Sequence, residues 1–311
     1  MSVAGYRAKG TLWILAAAAL WGLSATGAKV LQNEGVGTLL IVQTRVTISC
    51  VLMLAFFAAK RPDLLRVRRA DLWRLAMVGL VGVAGTNFTY YYTIKESTVA
   101  LAILLQYLAP LAVMGFAVWR GEEEISPGKV AAALAALFGC FLAVGGLGSG
   151  DLRMSPVALF TGILSMVGFA FMTIYPRYLF ARYSVLTVQF YAVLCASLFW
   201  LVVHPPWSTA SEQVPAGTRG ALAALSVGSV LIPYALYLSG LRRVAPSRAI
   251  IISTFEPVVA IVSAAVVLGE AMDGLRVVGA FLVLGAIVAL QIGPEQRRGR
   301  VAPVMETSDA P

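Results

Sequence analysis

Glu256 lies near the middle of an unbroken apolar run. If that run is a membrane helix, the carboxyl sits about 15 Å from either surface at 1.5 Å per residue. An ionisable group at that depth is expensive unless it faces water, a ligand or a partner. Its chemistry is then one of three kinds: contact with a cationic or amino group, carriage of a proton, or a structural bond to freed backbone amides or to Arg45. Arg45 stands about two helical turns into another apolar run. It is placed to pair with a substrate carboxylate, to snorkel, or to tie two helices together. Lys29 is close enough to a run end to snorkel. Pro110 and Pro257 fall inside apolar runs, where each frees the carbonyl four residues back, at Gln106 and Ser253. Freed backbone near the membrane centre is tolerated where it is reburied or lines a cavity. The two prolines therefore mark either gating helices or packing kinks.

Polar and aromatic residues recur on the same runs: Trp21, Gln43, Asn87, Tyr90, Gln106, Tyr107, Tyr175, Gln189, Tyr234 and Tyr237. Aromatic walls with a few hydrogen-bonding groups suit a small amphipathic organic ligand. Tyr91 and Tyr92, near a run end, suit an interfacial anchor better.

These residues need membrane helices to hold them. Charged residues make up only 13% of the chain, about half the roughly 25% of a soluble domain. A helix needs about 20 apolar residues to cross the hydrocarbon core. Ten such spans are read, at roughly 11–31, 38–59, 72–93, 98–119, 128–147, 156–178, 185–203, 220–241, 246–268 and 275–292. An even number puts both termini on one side. The termini and the even-numbered loops carry 18 Lys and Arg against 4 in the odd-numbered loops. Positive charge collects on the cytoplasmic side, so both termini are expected there. Residues 1–28 imitate a signal peptide, but the first span is long enough to cross and its loss would unbalance a repeat.

That repeat appears when 102–137 is laid on 249–284 without a gap. Ala102 meets Ala249, Ile103 meets Ile250, Pro110 meets Pro257, Glu123 meets Glu270, Val130 meets Val277, Ala133 meets Ala280 and Leu137 meets Leu284. Lys129 meets Arg276, which keeps the charge. The copies start five spans apart, so the second enters the bilayer from the opposite face. Inverted repeats of this kind build transporters whose halves rock about a central site. The sequence thus predicts an all-α membrane protein of ten transmembrane helices in two inverted five-helix repeats, 1–147 and 156–292. The Gly-rich turn Gly145–Gly150 joins them, and 293–311 forms a disordered cytoplasmic tail.

Other chemistries lack their residues. The glycine-rich turn has no following Lys-Ser/Thr for a phosphate loop. His204 is the sole histidine, so no common zinc site can form with Cys50, Cys140 and Cys195. These cysteines read as buried thiols. No Gly-x-Ser-x-Gly elbow is present. No enzyme activity, cofactor, metal or nucleic-acid partner is implied; the expected partners are a small-molecule substrate and the lipid bilayer, with the chain acting as a monomer. Arg is strongly preferred over Lys, which points to a GC-rich bacterium and so to its inner membrane.

Leu20-Trp21-Gly22, Arg45, Glu256-Pro257 and Leu268-Gly269-Glu270, echoed by Ala109-Pro110 and Gly121-Glu122, together resemble the EamA family of the drug/metabolite transporter superfamily. The resemblance covers 11–292 and implies ten helices, two inverted repeats and efflux of small metabolites; aromatic amino-acid exporters form one branch. Ala109 replaces the acidic residue of the second-half Glu-Pro pair, and Ala132 stands where Gly279 predicts glycine. The reading is a secondary exporter of amino acids or similar metabolites, working by alternating access. Its rivals are a nucleotide-sugar or sugar-phosphate carrier, which should need more intramembrane cations, and a membrane sensor or scaffold without flux.

Overall fold

The computed structural model describes residues 3–97, 99–124, 126–146, 155–205, 217–269 and 272–292. Most of Gly145–Gly150, Glu270 and the 293–311 tail lie outside the described residues. Among the described residues every regular element is helical. The helices are α1 (Val3–Asn33), α2 (Thr38–Lys60), α3 (Leu72–Met77), α4 (Thr86–Glu96), α5 (Val99–Gln106), α6 (Ala109–Trp119), α7 (Pro127–Ala143), α8 (Pro156–Ile174), α9 (Pro176–Leu179), α10 (Val185–Val203), α11 (Thr218–Ser226), α12 (Ile232–Leu241), α13 (Pro246–Ser253), α14 (Phe255–Leu268) and α15 (Gly274–Ile292). Two π-helical stretches, Val78–Gly85 and Val227–Leu231, join α3 to α4 and α11 to α12.

Local sequence sets several starts. Ser126, Ser155 and Ser184 each accept a hydrogen bond from the backbone N–H three residues on, capping α7, α8 and α10. Pro127 and Pro156 open their helices where a missing N–H costs nothing. Gly269 stops α14 with a φ of 68°, a conformation glycine adopts without strain.

Among the described residues, seven helical segments are long and apolar enough to cross a membrane: Gly5–Asn33, Thr38–Lys60, Leu101–Trp119, Pro156–Leu179, Val185–Val203, Thr218–Leu241 and Pro246–Leu268. Pro127–Ala143 and Gly274–Leu290 are shorter apolar helices. Large apolar side chains such as Phe138, Phe160, Val202, Val266 and Phe281 point outward uncovered. A soluble monomer rarely leaves so much apolar surface bare. This is a multi-pass membrane protein.

α1 lies along α12 and α14, as α8 lies along α4 and α6; α2 meets α11 as α10 meets α3; α7 and α15 run against each other. Gly139 and Gly279 permit that last approach, since a Cβ on Gly279 would stand 2.6 Å from the Gly139 carbonyl oxygen. The glycine facing Gly279 is Gly139, seven residues beyond its repeat equivalent Ala132.

The loops sort to two ends. At one end Arg182 and Tyr183 meet Asp71, Arg177 and Tyr178 meet Glu122, Ser247 meets Glu123, and Arg243 covers Trp13. At the other, His204 meets Gln43, Thr93 meets Thr161, and Gly145 sits against Arg276. The first end carries the basic loops.

Candidate functional site

At Pro110 and Pro257 the expected kinks appear as short breaks of one or two residues, at 107–108 and at Thr254, within columns that otherwise continue as single spans. α5 stops at Gln106 and α6 begins at Ala109, with Pro110 in its first turn; α13 stops at Ser253 and α14 begins at Phe255. A proline placed in a first turn loses no hydrogen bond, which explains a break in preference to a bend. Tyr107 N and Leu108 N still close onto Ile103 O and Leu105 O at 2.9 and 3.2 Å. Both breaks fall mid-column.

Glu256 is consequently in the first turn of a half-helix, α14. The exposed N–H groups there favour a negative charge. From the other break, Tyr107 donates its hydroxyl to Glu256 Oε2 at 3.1 Å. Tyr107 is itself buried, its ring edge-on to Phe169 at 6.1 Å. Cys140, fully buried, donates its thiol to the Thr254 carbonyl at 3.8 Å, just before Glu256.

Arg45 acts on Glu256 electrostatically, yet the two form no ion pair among the described residues. Arg45 Nε is sealed from solvent with no hydrogen-bond partner. Tyr90 and Tyr234 also lie within electrostatic reach of Glu256, and Tyr234 of Arg45. Asn87 lies beside Tyr234. Six residues from five columns therefore converge: Arg45, Asn87, Tyr90, Tyr107, Tyr234 and Glu256.

Trp21 frames this group without facing it through its nitrogen. Its indole donates to Ser229 O at 3.0 Å and its ring meets Tyr234 and Tyr237 at 5.4 and 5.3 Å. Gln189 donates to Leu231 O at 2.7 Å, and Asn87 donates to Val83 O at 2.7 Å. All three accepting carbonyls belong to the π-helical stretches. A π turn misaligns main-chain carbonyls, and these side chains satisfy them. Tyr237, fully buried, pairs with Thr173 at 2.8 Å. Gln43 is tied to His204 at 2.8 Å, and Tyr175 stacks on Phe171 at 4.6 Å toward the basic end. Gln106 closes α5, half-buried. Gln43 and Tyr175 thus have their nearest polar or ring partners outside the Glu256 group, whereas Tyr237 joins it through Tyr234 and the Trp21 ring they share.

Gly22 belongs to the site although its type gave no chemical signal. A Cβ there would fall 2.5 Å from Glu256 O and 2.9 Å from Ala260 N, so α1 and α14 touch backbone to backbone beside the carboxylate. Thr26 and Ser263 extend that seam at 2.6 Å. Sequence reasoning also missed a buried cluster at the basic end. Lys129 Nζ lies 3.0 Å from Glu123 Oε2, and Ser247 donates its hydroxyl to the same carboxylate. Its signal was present in the repeat, where Glu123 and Lys129 align with Glu270 and Arg276. Serine at 247 aligns with Ala100, so the hydroxyl has no copy.

The columns are not equally closed. α13 lies against α6 at the basic end more extensively than α5 and α14, their counterparts at the other end, lie against each other among the described residues. Among the described residues no group of three or more His, Cys, Asp or Glu side chains is disposed to hold a metal.

The model of the EamA-like transporter family matches residues 8–145 and again residues 156–291. The chain belongs to the EamA-like transporter family. It is 27% identical to the inner membrane transporter YicL of Salmonella typhimurium over 96% of this chain and 100% of that one. It is 25% identical to the threonine/homoserine exporter RhtA of Escherichia coli (strain K12), over 81% of this chain and 80% of that one. It is 28% identical to the aromatic amino acid exporter YddG of Ancylobacter novellus, over 70% and 76% of the two chains. A crystal structure at 23% identity shares the fold, with a TM-score of 0.76 over 90% of this chain and 95% of that one. Within this EamA chain, Trp21 and Gly22 have concrete work: one caps a π-helical carbonyl, the other admits α14.

Proposed function

We propose that this EamA protein is a secondary transporter exporting small zwitterionic metabolites, amino acids above all, across a bacterial inner membrane. The observation that carries the reading is the unpaired couple of Arg45 and Glu256 at the centre of the bundle. A half-buried guanidinium and a half-buried carboxylate that attract each other without bonding match the two charges of an amino acid. Arg45 takes the carboxylate and Glu256, held by Tyr107, takes the ammonium. Tyr90 and Tyr234 form aromatic walls for the side chain. An anionic sugar phosphate would meet one matching charge and one opposing charge, which disfavours a nucleotide-sugar carrier. The export of amino acids by RhtA and YddG supports the same class.

The layout proposed is ten membrane helices in two inverted repeats, 1–147 and 156–292, acting as a monomer with both termini cytoplasmic. The double family match supports it, as do the paired helix contacts, breaks and π stretches that recur near the same 147-residue offset. Transport is by alternating access about the breaks at Pro110 and Pro257. α13 against α6 and the Glu123–Lys129–Ser247 cluster would close the cytoplasmic end in this reading. Purified protein in liposomes should exchange labelled threonine, homoserine or aromatic amino acids without ATP. Absence of exchange across the amino acids, with flux of a sugar phosphate, would replace this reading by the rival carrier. Absence of any flux would favour a sensor.

A further inference from the structure

A groove of about 460 Å³ opens at the basic end, away from the Glu256 group, lined by Arg66, Val67, Arg68, Arg182 and Tyr183. Its walls come from two loops, one between α2 and α3 and one between α9 and α10. Asp71 fastens them together. It is almost wholly buried and accepts Tyr183 Oη at 2.7 Å, Arg74 at 3.2 Å and Arg182 at 3.4 Å. Tyr183 in turn accepts the Arg68 backbone N–H at 3.2 Å. Thr187 and Tyr191 donate to Leu64 O and Leu65 O at 3.0 and 2.8 Å. The groove is therefore a built feature with a fixed floor.

Its charge is unbalanced. Asp71 is already shared between Arg74 and Arg182. The other nearby carboxylate, Asp63, is held by both nitrogens of Arg61 at 3.1 and 3.2 Å and feels Arg66 only through space. Arg66 and Arg68 form no ion pair among the described residues. Two free guanidinium forks and a half-satisfied third line one concavity, a donor set suited to phosphate oxygens.

The position selects the source of the phosphate. α3 and α10 lie side by side and begin just past the groove, leaving Leu72, Trp73 and Leu186 exposed. Arg74 sits over the Trp73 ring at 5.4 Å, an arrangement suited to the membrane–water boundary, where tryptophan collects. Acyl chains can run down this apolar face while the headgroup enters the groove. We propose that the groove is a binding site for the phosphodiester headgroup of an anionic phospholipid of the cytoplasmic leaflet.

The test uses the full chain in neutral detergent, with thermal unfolding and lipid retention in native mass spectrometry as readouts. Phosphatidylglycerol, phosphatidylcholine and inorganic phosphate are added separately. The expected result is retention and a raised Tm with phosphatidylglycerol, and little effect from the other two. Arg66→Ala with Arg68→Ala should weaken phosphatidylglycerol binding by roughly 30-fold, at about 1 kcal/mol per basic residue near a membrane surface. Both side chains are exposed, so the Tm without lipid should stay unchanged; the double Lys variant should recover part of the binding through charge. Equal retention by wild type and the double Ala variant would overturn the site. Equal stabilisation by inorganic phosphate or phosphatidylcholine would overturn the assignment to an anionic lipid.

Discussion

Glu256→Gln separates a ligand contact from a structural bond. The replacement keeps shape and keeps an acceptor for the Tyr107 hydroxyl, now 3.1 Å from Oε2, but removes the charge. Were Glu256 locked to Arg45 in a buried ion pair, the change would strand a cation and destabilise by about 3–5 kcal/mol. No such pair exists among the described residues, and Arg45 Nε is already unpartnered. The stability cost is therefore limited to weakening one hydrogen bond, about 1 kcal/mol, and the relief of a desolvated charge offsets part of it. Transport behaves differently. An ammonium that seals the half-buried Glu256 carboxylate from solvent on binding loses about 3 kcal/mol when the carboxylate becomes an amide, roughly 100-fold in affinity.

The assay is amino-acid exchange in proteoliposomes and thermal melting on the same purified Glu256→Gln sample. The expected outcome is flux reduced by about two orders of magnitude at low substrate, with melting within a few degrees of wild type. A large fall in melting temperature would show that the carboxylate is a structural tie. Normal flux with normal melting would refute the zwitterion site altogether.

Three further outcomes follow from the geometry. Gly22→Leu drives side-chain atoms into Glu256 O and Ala260 N, and overpacking of this kind should cost about 1–3 kcal/mol; an unchanged Tm would show that α1 and α14 separate freely. The Tyr183 hydroxyl, with Arg182 and Arg74, holds the Asp71 carboxyl below the ordinary carboxylate range against an opposing push from burial. A depressed carboxyl stabilises above its unfolded pKa and loses that contribution as pH falls through its folded value. Wild type should accordingly lose stability on acidification below the ordinary carboxylate range, and Asp71→Asn should flatten that part of the profile; parallel profiles would refute the latch. Single cysteines at Arg68 and Arg242 should react only with cytoplasmic reagent and one at Arg219 only with external reagent, and labelling of all three from one side would sink the proposed topology.

The membrane class and the landmarks of the columns were legible because they rest on long apolar runs and on punctuation by Pro, Gly and charge. Glu256 stood out for the same reason: a lone carboxyl deep in an apolar run must have a use or a partner. Less was legible where a residue's task depends on a distant backbone. Trp21 and Gln189 read as ligand contacts, and each also donates to a π-helical carbonyl on another column. No composition rule distinguishes a π turn from an α turn within Val78–Gly85 or Val227–Leu231. The prolines announced a disturbance, but whether a helix bends or stops depends on whether its neighbours hold the two halves apart.

The π stretches and the breaks also explain why the charged couple can exist at all. A continuous helix presents no free amide to a carboxylate, whereas α14 begins one residue before Glu256 and offers its first-turn N–H groups. The Tyr107 hydroxyl reaches that carboxylate because the matching column is broken at Tyr107 itself. One duplicated irregularity thus supplies both the carboxylate's environment and its partner. Arg45 has no equivalent support, since α2 runs unbroken from Thr38 to Lys60 and gives its guanidinium no backbone acceptor. The asymmetry leaves the cation as the side of the couple most in need of a ligand oxygen, which is why the contact of an amino acid's carboxylate with Arg45 should contribute more to binding than that of its ammonium with Glu256.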